Sequence, residues 1–116
     1  MIRDPLRPAP NFGVWEVICE YNDVEDNSMI DFSTYPNILV EIEDPFTRAI
    51  VMSLNKTRGD VTTPAPGIII WRAGHGRMSG LRWGTYHVRM SAWQDDPDDR
   101  LPLMDSSVSI IGDRHQ

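Results

Sequence analysis

Three histidines (His75, His87 and His115), one cysteine (Cys19) and four aspartates in a run (Asp95, Asp96, Asp98 and Asp99) are the side chains best suited to catalysis or metal binding. Serine-type acyl transfer needs a nucleophile, a base and an orienting carboxylate, commonly on a glycine-framed elbow, and no G-x-S-x-G occurs. His87 alternates with core-side positions and therefore faces solvent or an interface, His75 lies between glycines in a loop, and His115 is next to the terminus. Zinc asks for four thiolate or imidazole ligands at paired short spacings, which one cysteine and scattered histidines do not supply. The aspartate run could offer hard oxygens to calcium, but it lacks the spacing, mid-loop glycine and closing glutamate of an EF-hand loop. It reads as a solvated turn. Cys19 lies in an apolar run without the cation or base that an activated thiolate requires, so it is expected as a buried structural thiol. Gly74, Gly76 and Gly80 break the G-x-G-x-x-G order, and no Lys-Ser or Lys-Thr follows. Arg58-Gly59-Asp60 and Asn55-Lys56-Thr57 match an adhesion tripeptide and a glycosylation acceptor, at a length where chance matches are common. The expectation is a protein with no catalytic residues, no metal and no cofactor.

What remains is surface. Residues 14–46 carry nine acids and no Lys or Arg, whereas residues 47–94 carry Arg48, Lys56, Arg58, Arg72, Arg77, Arg82 and Arg89 against Asp60 alone. Pairing between strands can cancel part of this segregation; what is not cancelled would steer like subunits or a complementary partner into register. Trp15 and Trp71 fall inside strand patterns and belong to the core. Trp83, beside Arg82, and Trp93, at a strand end, are interface candidates, because aromatic area ringed by arginine is what hot spots use. The candidate interface residues are therefore Arg77, Arg82, Trp83 and Trp93, joined by Arg3 and Arg7 in the first residues of the chain. The same aromatics could instead serve as a carbohydrate platform.

The 116 residues fit one domain with a modest core. A net charge of -6 makes nucleic acid an improbable partner, since a phosphate backbone demands clustered cations. A lone cysteine cannot close an internal disulfide. No apolar run is long enough for a signal peptide or a bilayer span, so no membrane association is expected.

Pro5, Pro8 and Pro10 predict an extended arm over residues 1–13, either frayed or laid on a neighbouring subunit. Strand patterns follow at residues 14–21, 37–43, 49–54, 61–63, 68–71, 85–93 and 101–111, with a polar loop at 22–28 between the first two. Three consecutive isoleucines, Ile68 to Ile70, suit a strand covered on both faces. Proline or glycine at roughly ten-residue intervals, and no sustained helical period, predict an all-β, antiparallel immunoglobulin-like β-sandwich of about seven short strands over residues 14–111, with a tail at 112–116.

The stretch from Met78 to Met90, with Leu81, Gly84, Tyr86 and Val88 in the order "leucine, two residues, glycine, x, tyrosine, x, apolar", resembles the signature of small immunoglobulin-like sandwich proteins among the structural components of tailed bacteriophages. The acidic turn and the final strand after it fit the same order. The resemblance implies a virion component without catalytic residues, docking in several copies onto a tail, collar, baseplate or fibre-attachment complex. Its partners would be other virion proteins and copies of itself in a symmetric assembly. A head-decoration protein, or a protein- or carbohydrate-binding module, is the alternative.

Overall fold

The computed structural model describes residues 2–21 and 30–112, so the loop expected at 22–28, His115 and the end of the tail lie outside the described residues. The strands are β1 (Ala9–Pro10), β2 (Trp15–Glu20), β3 (Asn37–Glu43), β4 (Ile50–Asn55), β5 (Val61–Ala65), β6 (Ile68–Ala73), β7 (Gly84–Trp93) and β8 (Leu101–Ile111), with a short helix α1 (His75–Met78) before β7. They form a five-stranded sheet in the order β1-β8-β7-β3-β4 and a three-stranded sheet in the order β2-β6-β5.

Side-chain alternation decides which face of each strand is buried. Ile38, Val40 and Ile42 of β3, with Tyr86, Val88, Met90 and Ala92 of β7, turn inward from the larger sheet. Trp15 and Cys19 of β2, with Ile69, Trp71 and Ala73 of β6, meet them from the smaller one. Trp15 and Trp71 pack edge to face with ring centroids 5.8 Å apart, an arrangement the aromatic quadrupole favours. The tyrosyl hydroxyl of Tyr21 donates to the Leu103 carbonyl at 2.7 Å and so ties one sheet to the other.

Numbered along the chain, β2, β6 and β5 occupy the places of immunoglobulin strands B, E and D, and β8, β7, β3 and β4 those of G, F, C and C′. Tyr86, near the start of β7, donates its hydroxyl to the Arg82 carbonyl at 2.9 Å, the tyrosine corner of such domains. The architecture is all-β and broadly immunoglobulin-like.

Two expectations need correction. The strands number eight among the described residues, and the sheet is not wholly antiparallel, because β1 pairs with β8 in parallel, Ala9 opposite Ile110 and Pro10 opposite Ile111. A two-residue strand set among prolines has no alternation to betray it. The proline-rich arm is extended, but it lies along its own chain: Ile2, Leu6 and Asn11 donate amides to the carbonyls of Leu103, Ser107 and Ile111 at 2.8–3.0 Å. Pro5, Pro8 and Pro10 fall between these donors and need none of their own. The second correction concerns the triple isoleucine, of which only Ile69 is fully buried; Ile68 and Ile70 are half-buried on the outer face of the smaller sheet.

A candidate protein-binding surface

The register places the β1–β2 turn (residues 11–14), the β3–β4 turn (44–49), the segment from α1 to Trp83 and the end of β8 at one end of the sandwich. The β7–β8 turn (94–100) lies at the other. Phe12, Val14, Phe46, Ile50, Trp83 and Ile111 are all exposed in or beside the loops of the first end. We call it the aromatic end.

Phe46 is 93% exposed, a cost in apolar hydration that the turn beneath it makes permanent. Asp44 starts the turn and Pro45 presets φ at the next position. The Asp44 carboxylate accepts the amides of Phe46 at 2.8 Å and Thr47 at 3.3 Å. The Arg48 amide donates to the Asp44 carbonyl at 2.8 Å, and the Asp44 amide to the Ala49 carbonyl at 2.9 Å. Arg48 takes a left-handed φ of 64° to close the loop, uncommon without glycine. The ring is therefore held out on a hydrogen-bonded turn, which lowers the loop entropy lost on contact.

Trp83, 70% exposed, is fixed at its stem from both sides. Buried Asn11 donates its side-chain amide to the Leu81 carbonyl at 2.8 Å, and the tyrosine corner holds the Arg82 carbonyl. Gly84 follows at a φ of 147°, a conformation open to glycine alone and unforced by crowding, since a Cβ there would meet nothing. Between the Phe46 turn and the start of β7 is a cleft of about 260 Å³ bordered by Glu43, Pro45, Arg48, Thr85 and His87. Beside Trp83 is a second depression of about 410 Å³ over Ser79 to Arg82. Four interstrand steps separate β1 from β4, so the end is about 19 Å wide.

The six sequence candidates do not form one surface. Arg82 and Trp83 belong to the aromatic end. Trp93 stands at the far end of β7, roughly 30 Å away by strand rise, with the Arg100 guanidinium 4.4 Å above its ring. Arg3 and Arg7 are exposed on the arm beside β8. Arg77 is engaged within the domain: it pairs with Asp60 at 3.2 Å and donates to the Ser53 carbonyl at 3.4 Å. Arg58 reaches the same two groups, at 3.2 and 2.6 Å, so the two arginines cover the free edge of β4, a common defence against strand addition. Phe46 was missed because it falls between the strand patterns at 37–43 and 49–54 and no use was read from that connection; the Asp-Pro pair before it is the signal that could have found it.

The segregated charges are partly cancelled inside the larger sheet. Both oxygens of buried Glu43 are held, by Arg89 at 3.3 Å and Arg48 at 3.7 Å. His87 contacts Asp105 through Nε2, and its Nδ1 lies 3.5 Å from the Arg89 guanidinium. Ser107 is directly opposite His87 across the β7–β8 ladder, yet with both ring nitrogens engaged the imidazole has none left to activate it. This serine, histidine and aspartate are thus a cross-strand network and not a catalytic triad. Burial pushes the Cys19 thiol up to about 11, which keeps it protonated and a poor nucleophile near neutral pH. Among the described residues no group of three or more His, Cys, Asp or Glu is placed to hold a metal, and no helix is long and apolar enough to cross a membrane.

No protein-family model and no curated protein sequence matches the chain. Among solved structures it is similar to "The three dimensional structure of NK cell receptor Nkp44, a triggering partner in natural cytotoxicity", with a TM-score of 0.40 and 11% identity over 97% of this chain and 99% of that one. Strand order and the tyrosine corner, and not this likeness, are what make the fold immunoglobulin-like.

Proposed function

We propose that the chain is a non-enzymatic protein-binding module that docks onto a larger assembly through its aromatic end. The observation that carries this reading is Phe46, an almost wholly exposed aromatic ring on a turn whose main chain is pinned by its own side chains. Soluble domains seldom leave large apolar residues clustered in solvent without a use, and rigid aromatics beside arginine are the residues from which hot spots are made. The carbohydrate reading has less support, because Trp83 and Trp93 stand at opposite ends and Arg100 covers one face of Trp93.

We further propose that the assembly is a tailed-phage virion, at a tail, collar, baseplate or fibre-attachment position, with head decoration as the alternative. The support is the resemblance of residues 78–90 together with the sandwich architecture. The test is mass spectrometry of purified particles. Fixed stoichiometry of the native chain, with loss of a Phe46→Ala/Trp83→Ala variant of unchanged circular dichroism, is the expected result. A chain found only free in the lysate overturns the virion assignment; a variant incorporated at the native ratio overturns the choice of surface.

A further inference from the structure

The end opposite the aromatic one is built as its counterpart. In the β7–β8 turn the Asp96 carboxylate accepts the Asp98 amide at 2.9 Å, the Asp99 amide donates to the Asp96 carbonyl at 3.0 Å, and Arg100 donates to the Pro97 carbonyl at 3.2 Å. Arg100 is committed to that carbonyl and to the Trp93 ring. Asp95, Asp98 and Asp99 are exposed and form no ion pair among the described residues, and Pro97 and Leu101 are exposed beside them. The aromatic end instead displays exposed arginines, Arg48 and Arg82. Arg82 has no ion pair among the described residues, the Arg48 side chain is 76% exposed and its one pair among them is the 3.7 Å contact to Glu43, and the Asp44 carboxylate, still charged, is turned onto the amides of its own loop.

We propose that the aromatic end of one copy receives the acidic β7–β8 turn of a second copy, so that chains stack head to tail. The inference rests on the reading of the aromatic end as the contact surface and names its partner. With the two ends roughly 30 Å apart by strand rise, at opposite ends of β7, one chain cannot satisfy itself. The contact is heterologous, and it propagates into a ring or a filament. An end face of 25 by 25 Å offers roughly 600 Å² per copy, at the low end of specific interfaces. A single junction is therefore weak, and many junctions in an assembly make it effective. The net charge of -6 opposes stacking at low salt. At physiological ionic strength the screening length of about 8 Å is far shorter than the molecule, so the charges at the junction decide.

Sedimentation of the full chain up to about 1 mM, where junctions of this size become populated, should show growing oligomers that dissolve on raising salt from about 0.15 to 0.5 M. Arg82→Glu and Asp98→Lys/Asp99→Lys should each weaken self-association by about tenfold or more, since like charges then face each other. An equimolar mixture of the two should restore it, because each mutated end meets its new complement. A native chain that stays monomeric throughout, association indifferent to both reversals, or a mixture that does not recover each overturns the proposal. If the chain is monomeric while Phe46→Ala/Trp83→Ala is still lost from particles, head-to-tail stacking is wrong and the protein-binding reading stands. If that double variant is incorporated normally, the contact surface itself is wrong.

Discussion

The two ends of the sandwich are closed by turns of the same local design. Asp44-Pro45-Phe46-Thr47-Arg48 and Asp96-Pro97-Asp98-Asp99-Arg100 share an aspartate, a proline and a closing arginine at matching positions. In both, the aspartate oxygen accepts the amide two residues on, at 2.8 and 2.9 Å. The surfaces they display are opposite. The first offers a phenyl ring and the second offers carboxylates, because the residue after the proline is Phe46 in one and Asp98 in the other. Turn chemistry supplies stiffness in each case, and a single side chain sets what the stiffness presents. The closing arginines differ too: Arg48 is forced to a φ of 64°, whereas Arg100 sits at -61°.

Exchanging the displayed residues tests that contrast most severely. Phe46→Asp should cut docking by about a hundredfold, the loss of a strong hot spot. Its melting temperature should stay within a few degrees of native, because almost none of the ring is buried. An unaltered docking affinity would mean that the aromatic end does not act through this ring. Next in size is removal of the turn aspartates. Asp44→Ala leaves two amides without their acceptor and Asp96→Ala one, so urea unfolding should show losses of about 2 and about 1 kcal/mol. Equal losses would argue that the second amide bond, at 3.3 Å, contributes nothing.

The closing arginines should respond with opposite signs. Arg48→Gly relieves a left-handed residue while giving up the long 3.7 Å pair to Glu43, whose other oxygen stays with Arg89, for a net gain of about 0.5 kcal/mol. Arg100→Gly relieves nothing and forfeits the stacking on Trp93, a loss of about 1 kcal/mol. Matching signs in thermal melts would show that the strain at Arg48 is not a real difference between the turns. Smallest is neutralisation of the exposed carboxylates. Asp95→Asn/Asp99→Asn should move stability by less than about 0.5 kcal/mol, and a larger loss would reveal a structural role for that cluster.

Much of the fold was legible because alternation is a local property. Ile38, Val40 and Ile42, or Tyr86, Val88 and Met90, announce both a strand and its buried face. β1 was not legible, since two residues among prolines carry no period and are held only by a strand about a hundred positions away. Arg77 looked like free surface for a similar reason. Its partner Asp60 lies on another loop, and only folding brings the two to 3.2 Å. Trp83 and Trp93 seemed a pair because they are near in sequence, although a ten-residue strand between them already implied opposite ends.

The order of residues alone thus determined the strands other than β1, most of their inward faces, the Asp95–Asp99 turn and the lack of a metal or nucleophile motif, because these depend on neighbours a few positions apart. Tertiary structure decided which sheet each strand joined and which charges were cancelled. It also decided that Phe12, Phe46 and Trp83 share one end while four aspartates hold the other. Those groupings depend on contacts between distant segments, and burial of a common core, not local pattern, chooses among them.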